Sequence, residues 1–234
     1  MPARVLEIDR IAATVERLAE RVGDRFAGRG IAELAAELVV IGRETEATVA
    51  RLQQPRWGLR VLAGAVAVLA VVVLGLSVST FGGFTVEGAD EWLTFLQAVI
   101  QDIVFLGIAA VFLRSIEGKV KRREALTGLH GLRSFAHVID MHQLTKDPDS
   151  ALHPDASAAH SPERGLSRVE LGRYLDYCSE MLSIVNKLAA LYAQVSQDGE
   201  VLAAVRGVQD LTGGLTATIW QKIMILDTVE ARAR

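Results

Sequence analysis

The chain has a single cysteine, Cys178, so no disulfide can close within it. Cys178 falls on an apolar helical stripe, where a free thiol behaves as a small hydrophobe. Proline is also scarce. Of the five prolines, Pro148, Pro154 and Pro162 cluster in one stretch, which leaves the remainder almost free of helix breakers. Strand signals are negligible, so the fold class is all-α. No apolar segment lies near Met1, and no cleavable signal peptide is expected. A net charge of −3 gives no general attraction to nucleic acid, and no such partner is expected. Glycine-rich phosphate loops, nucleophile elbows and zinc signatures are all missing. The chain is therefore expected to use no cofactor and to be no enzyme.

Charge itself is missing from the middle of the chain. Val61 to Val86 carries none, and Trp92 to Leu113 carries only Asp102. At about 1.5 Å of rise per residue, some 20 helical residues cross a hydrocarbon core of about 30 Å. The two runs predict an integral membrane helical hairpin. Arg43, Arg51, Arg56 and Arg60 precede the first run, and Arg114, Lys119, Lys121, Arg122 and Arg123 follow the second. The connector from Ser79 to Glu91 has no Lys or Arg but carries Glu87, Asp90 and Glu91. The positive-inside rule puts both termini in the cytosol of a bacterial-type inner membrane and the acidic connector outside. Trp57 and Trp92 open the two runs, as expected of aromatic residues at membrane interfaces.

The flanks read as soluble helices. Ile8, Ile11, Val15, Leu18 and Val22 form one heptad seam. Three glycines between Gly23 and Gly30 interrupt it, and a second seam follows through Ile31, Leu34, Leu38, Ile41, Thr45, Thr48 and Leu52. Residues 1–56 are thus an N-terminal cytosolic amphipathic pair, followed by transmembrane helices at 57–80 and 92–114 around a connector at 81–91. A basic helix at 115–146 is weakened by Gly118, Gly128 and Gly131 and stops at Lys146-Asp147-Pro148. Residues 147–166 form a flexible linker. Ser167-Arg168-Val169-Glu170 then matches a capping box. Behind it Leu171, Cys178, Val185 and Tyr192 recur every seven residues, as do Tyr174, Met181, Leu188 and Val195. Residues 167–234 are a C-terminal helical hairpin that turns at Gln197-Asp198-Gly199-Glu200. Together these parts suggest a cytosolic three-helix bundle.

Candidate chemistry centres on the second run. Thr94, Gln97 and Gln101 form a polar stripe at helical spacing, and Asp102 borders it. A carboxylate at such depth costs at least about 2.5 kcal/mol and must face protein or water. The stripe would line a pore with Glu87, Asp90 and Glu91 at its outer mouth, or would hold helices together. Lys119, Lys121, Arg122 and Arg123 would contact anionic lipid on the inner side. His137 and Asp140, three residues apart, are weak metal-ligand candidates without a supporting motif.

The spacing of Arg123 and His130 resembles the Arg…His pair of helical HEPN ribonucleases, a likeness that stops at two common residue types. It leaves a metal-independent ribonuclease as an outlying alternative. The two-span layout is similar in architecture to two-span effectors of bacterial defence systems. The expected function is a homo-oligomeric channel or pore-type membrane effector with a cytosolic assembly or gating domain. The alternative is a non-conducting, membrane-anchored scaffold that binds a cytosolic protein partner.

Overall fold

The computed structural model describes residues 6–82, 89–144, 146 and 166–233, all helices and short connections, with no strand among them. The helices are α1 (Ile8–Arg25), α2 (Gly30–Gln53), α3 (Trp57–Gly82), α4 (Ala89–Leu144), α5 (Arg168–Val195) and α6 (Gly199–Ala233). The linker placed at 147–166 lies outside the described residues except for Leu166, as do positions 83–88 of the connector. Two compact units result: Met1–Gln53 with Glu124–Arg234, and Gln54–Arg123.

In the first unit α1 and α2 pair as the two seams require. Ile11, Val15, Leu18 and Val22 are buried on α1. On α2 the buried line runs through Leu38, Gly42, Thr45, Val49 and Leu52, rather than through Ile41 and Thr48. A straight helix with 3.6 residues per turn drifts off a heptad by about 20° per repeat, which moves the buried line sideways. The break between the helices is narrower than Gly23 to Gly30. Helix α1 runs to Arg25, and the chain turns at Gly28, whose φ of 71° suits a residue without Cβ. Just before the turn, Phe26 is buried and packs edge-on against Tyr174 and Tyr177, with centroids 5.9 and 6.1 Å away.

Helix α5 is the hub. Ser167 caps it: the Glu170 amide donates to Ser167 Oγ at 3.3 Å, and the Ser167 amide donates to Glu170 Oε2 at 2.7 Å. Its buried residues include Leu171, Tyr174, Leu175, Tyr177, Cys178, Met181 and Leu182 in the first half, more than one stripe can hold. A helix apolar around most of its girth must be covered on several sides. Helix α5 packs against α1, α2 and α6. It also meets α4, because Tyr192 presses on Gly128 and the Tyr174 hydroxyl donates to the His142 carbonyl at 3.4 Å. The three-helix bundle expected from the sequence is therefore a five-helix unit, since the apolar faces of α1 and α2 close over α5.

One further expectation changes. Helix α4 is unbroken through Gly118, Gly128 and Gly131. Each glycine costs about 1 kcal/mol relative to alanine, and the buried stripe of Ala125, Leu129, Leu132, Ala136 and Ile139 offsets that cost.

Candidate functional site on the apolar half of α4

The second unit has the reverse surface of the first. Between Val61 and Phe112 most of its described large apolar side chains are exposed, among them Val61 by 66%, Val71 by 64% and Val111 by 71%. Among the described residues one helix, α4 from Leu96 onward, is long and apolar enough to cross a membrane. The described part of α3 holds a shorter apolar run, Gly64–Val73. Trp57 and Trp92 are both exposed.

Gln97 and Gln101 are exposed on α4, one turn apart. Asp102 is only half-exposed, with Ala98, Leu106 and Ala109 in the same state. At about 100° per residue Asp102 lies a quarter turn from Gln101, so the carboxylate belongs to a partly covered face and the two amides to an open one. Of the stripe read from the sequence, Gln97 and Gln101 are described, and Asp102 borders them on a half-covered face. The side chains of Thr94, Glu87, Asp90 and Glu91 lie outside the described ones. Toward the other end of the apolar run, a shallow groove along α4 is lined by Val104, Gly107, Ile108, Val111, Phe112 and Ser115. Ser115 donates its hydroxyl to the Phe112 carbonyl at 2.7 Å.

The basic group is not uniform. Lys119 and Arg123 are exposed, while Arg122 is half-buried. Lys121 is also half-buried and pairs with Glu117 at 3.3 Å one turn earlier. That pair neutralises itself in place, and Lys119 and Arg123 are the exposed side chains of the group.

His137 is exposed and Asp140 half-buried. Asp140 accepts a hydrogen bond from Gln143 Nε2 at 2.7 Å. Among the described residues no three His, Cys, Asp or Glu side chains converge in a way that could hold a metal ion. His130 is exposed, as is Arg123.

Two polar clusters in the helical unit were not legible from spacing. At the end of α4, the Lys222 ammonium of α6 donates to the Gln143 carbonyl at 3.0 Å, to Gln143 Oε1 at 2.7 Å and to the Lys146 carbonyl at 3.4 Å. A cation on the last carbonyls of a helix satisfies orphan acceptors and complements the helix dipole. The only hint in the sequence is a lysine set among the apolar positions Ile219, Ile223 and Leu226. At the other cluster the Tyr192 hydroxyl shares hydrogen bonds with Thr45 and Thr48, beside an Arg51–Glu124 pair at 2.7 Å. Burial pushes the Tyr192 phenol above its ordinary value, and the two threonines act in the opposite sense. Burial likewise raises the Cys178 thiol to about 12, with nearby Lys222 opposing weakly. A thiol so protonated is no nucleophile.

No protein-family model, curated protein or solved structure matches this chain.

Proposed function

We propose that the chain is a two-span membrane protein, with α3 and α4 as the spans and both termini cytosolic, whose copies assemble around a shared polar face and conduct ions. The observation that carries this reading is the exposure of Gln97 and Gln101 on an otherwise apolar, exposed helix. In hydrocarbon a primary amide without a partner costs several kcal/mol. Another copy or a water column must therefore meet these two side chains. A single hairpin encloses no water path, so conduction requires several copies. The five-helix unit then serves assembly or gating on the cytosolic side of a bacterial-type inner membrane, and Lys119 and Arg123 meet anionic headgroups.

The test is reconstitution of the full chain into liposomes, with ion flux and native mass measured on the same preparation. Conduction predicts a defined oligomer and flux that falls at least tenfold in the Gln97→Leu/Gln101→Leu double variant. A second reading, a membrane-anchored scaffold for a cytosolic protein partner, draws on exposed Met141, Leu144, Trp220 and Met224 in the helical unit. An intact oligomer without flux would favour it.

A further inference from the structure

We propose that the face of α4 bearing Gln97 and Gln101 also carries an apolar gate formed by Ile108 and Phe112. This inference rests on the conducting reading above. With 3.6 residues per turn, Ile108 and Phe112 fall within about 20° of Gln101, and Lys119 returns to the same angle. Ile108 is 60% exposed and Phe112 61%, and Gln101 and Lys119 are exposed as well. One open face therefore runs from amides, through a branched aliphatic and a ring, to a cation.

The next polar side chain after Gln101 close to that line is Ser115. The fourteen steps from Gln101 to Ser115 correspond to roughly 21 Å of helix rise. Over that distance the face offers Val104, Ile108, Val111 and Phe112, which line the shallow groove along α4. Water gains no hydrogen bond from such a wall, and a narrow passage with apolar walls empties of water and blocks ions. Ser115 adds little, because its hydroxyl is already donated to the Phe112 carbonyl. The amides then serve as a wetted vestibule, and Ile108 and Phe112 hold the resting pore to a low flux. The opposite side of the helix gives the control. Ile103 lies about 160° from Gln101 and is 56% exposed, so it faces lipid in the same assembly.

The experiment compares wild type, Ile108→Asn, Phe112→Asn and Ile103→Asn, each as full chain in phosphatidylethanolamine/phosphatidylglycerol liposomes. Potassium and chloride flux are read with no added trigger, and native mass reports assembly. A polar side chain at the gate holds water there, so Ile108→Asn and Phe112→Asn should raise resting flux at least tenfold. Ile103→Asn should leave it at the wild-type level. Ile108→Ala, which keeps the site apolar and only widens it, guards against loss of assembly by a polar change and should give a smaller rise. Equal flux from the Ile108 and Ile103 variants would overturn the gate and leave conduction standing. Intact oligomers without flux in every variant would overturn conduction, and the gate with it.

Discussion

The Tyr192 hydroxyl of α5 lies directly over the backbone of Gly128 on α4, where an added Cβ would overlap it. Tyr192 is 1% exposed and shares hydrogen bonds with Thr45 and Thr48 of α2. One side chain thus ties three helices through a site that only glycine permits. Gly128→Ala is expected to destabilise the helical unit by about 1–3 kcal/mol, despite the higher helix propensity of alanine. Tyr192→Phe should cost about 1 kcal/mol through its lost hydrogen bonds. Because the phenylalanine removes the overlapping oxygen, the double variant should be more stable than the sum of the single changes implies. Denaturant unfolding of the full chain in detergent, followed by circular dichroism, checks the coupling. Strict additivity would place Gly128 and Tyr192 out of contact.

The Lys222 ammonium should matter more than an ordinary surface lysine. Gln143 is fully buried, and its carbonyl and side-chain oxygen both accept from Lys222. Lys222→Met leaves those acceptors unmet at the end of α4, at a cost of about 1–3 kcal/mol. Hydrogen exchange should rise first at residues 140–144 and only later in α5. A uniform rise along the chain would mean that Lys222 supports the unit globally rather than this helix end.

At the start of α5 the capping box makes a prediction about acid. Hydrogen bonds from the Ser167 backbone and side chain hold the Glu170 carboxyl below its ordinary value. A group with a lowered folded-state pKa stabilises the fold above the carboxylate range, and that contribution fades as pH falls through the lowered pKa. Wild type should therefore lose more stability on acidification than Glu170→Gln, which has no proton to take up at that site. Ser167→Ala should cost about 1 kcal/mol near neutral pH. Thermal melts of the three proteins across the acidic range read the difference, and parallel curves for wild type and Glu170→Gln would dismiss the contribution.

The same region shows how far a sequence can be read. The Ser167 cap, the stripes of α1 and α5 and the turn at Asp198 follow from local chemistry, which lies within a few residues of chain. The partners of those stripes do not. Periodicity says that Leu171, Cys178 and Val185 face something, but four different helices cover α5, from residues far apart in sequence. Thr45 reads only as a seam position and is a buried partner of Tyr192. Gly128 looked like a helix weakness and is a seat for a ring. Phe26 looked like part of a glycine-rich break and is an aromatic anchor of the core. At the candidate site the amide stripe was legible because Gln97 and Gln101 stand out in an apolar run. That Asp102 borders the stripe follows from the same periodicity, but its partial cover does not, because composition does not encode what packs beside a side chain.

Cys178 allows a clean test of topology. Its thiol is fully buried and its pKa stands near 12, so an impermeant maleimide should not label the folded wild-type chain. Gly83→Cys, in the connector, should then be the one reactive site in intact cells if the connector is external. Labelling only after lysis would reject the hairpin orientation.

On the conducting reading, Asp102 separates assembly from conduction. It is half-exposed on the Ala98 and Ala109 side of α4, about a quarter turn from the open amide face. A carboxyl group on a partly covered face of a membrane helix is placed to hydrogen-bond a neighbouring helix, a contact worth about 0.6–2 kcal/mol in such settings. Asp102→Asn keeps nearly the same shape and can still hydrogen-bond. It should preserve subunit number and change flux less than the Gln97→Leu/Gln101→Leu pair. Asp102→Leu removes the bond and should loosen the oligomer, seen as smaller species by native mass at equal protein concentration. Flux that collapses or changes its pH dependence in Asp102→Asn, with the oligomer intact, would instead put the carboxylate in the water path. Flux and mass unchanged by both variants would take Asp102 out of assembly and conduction alike.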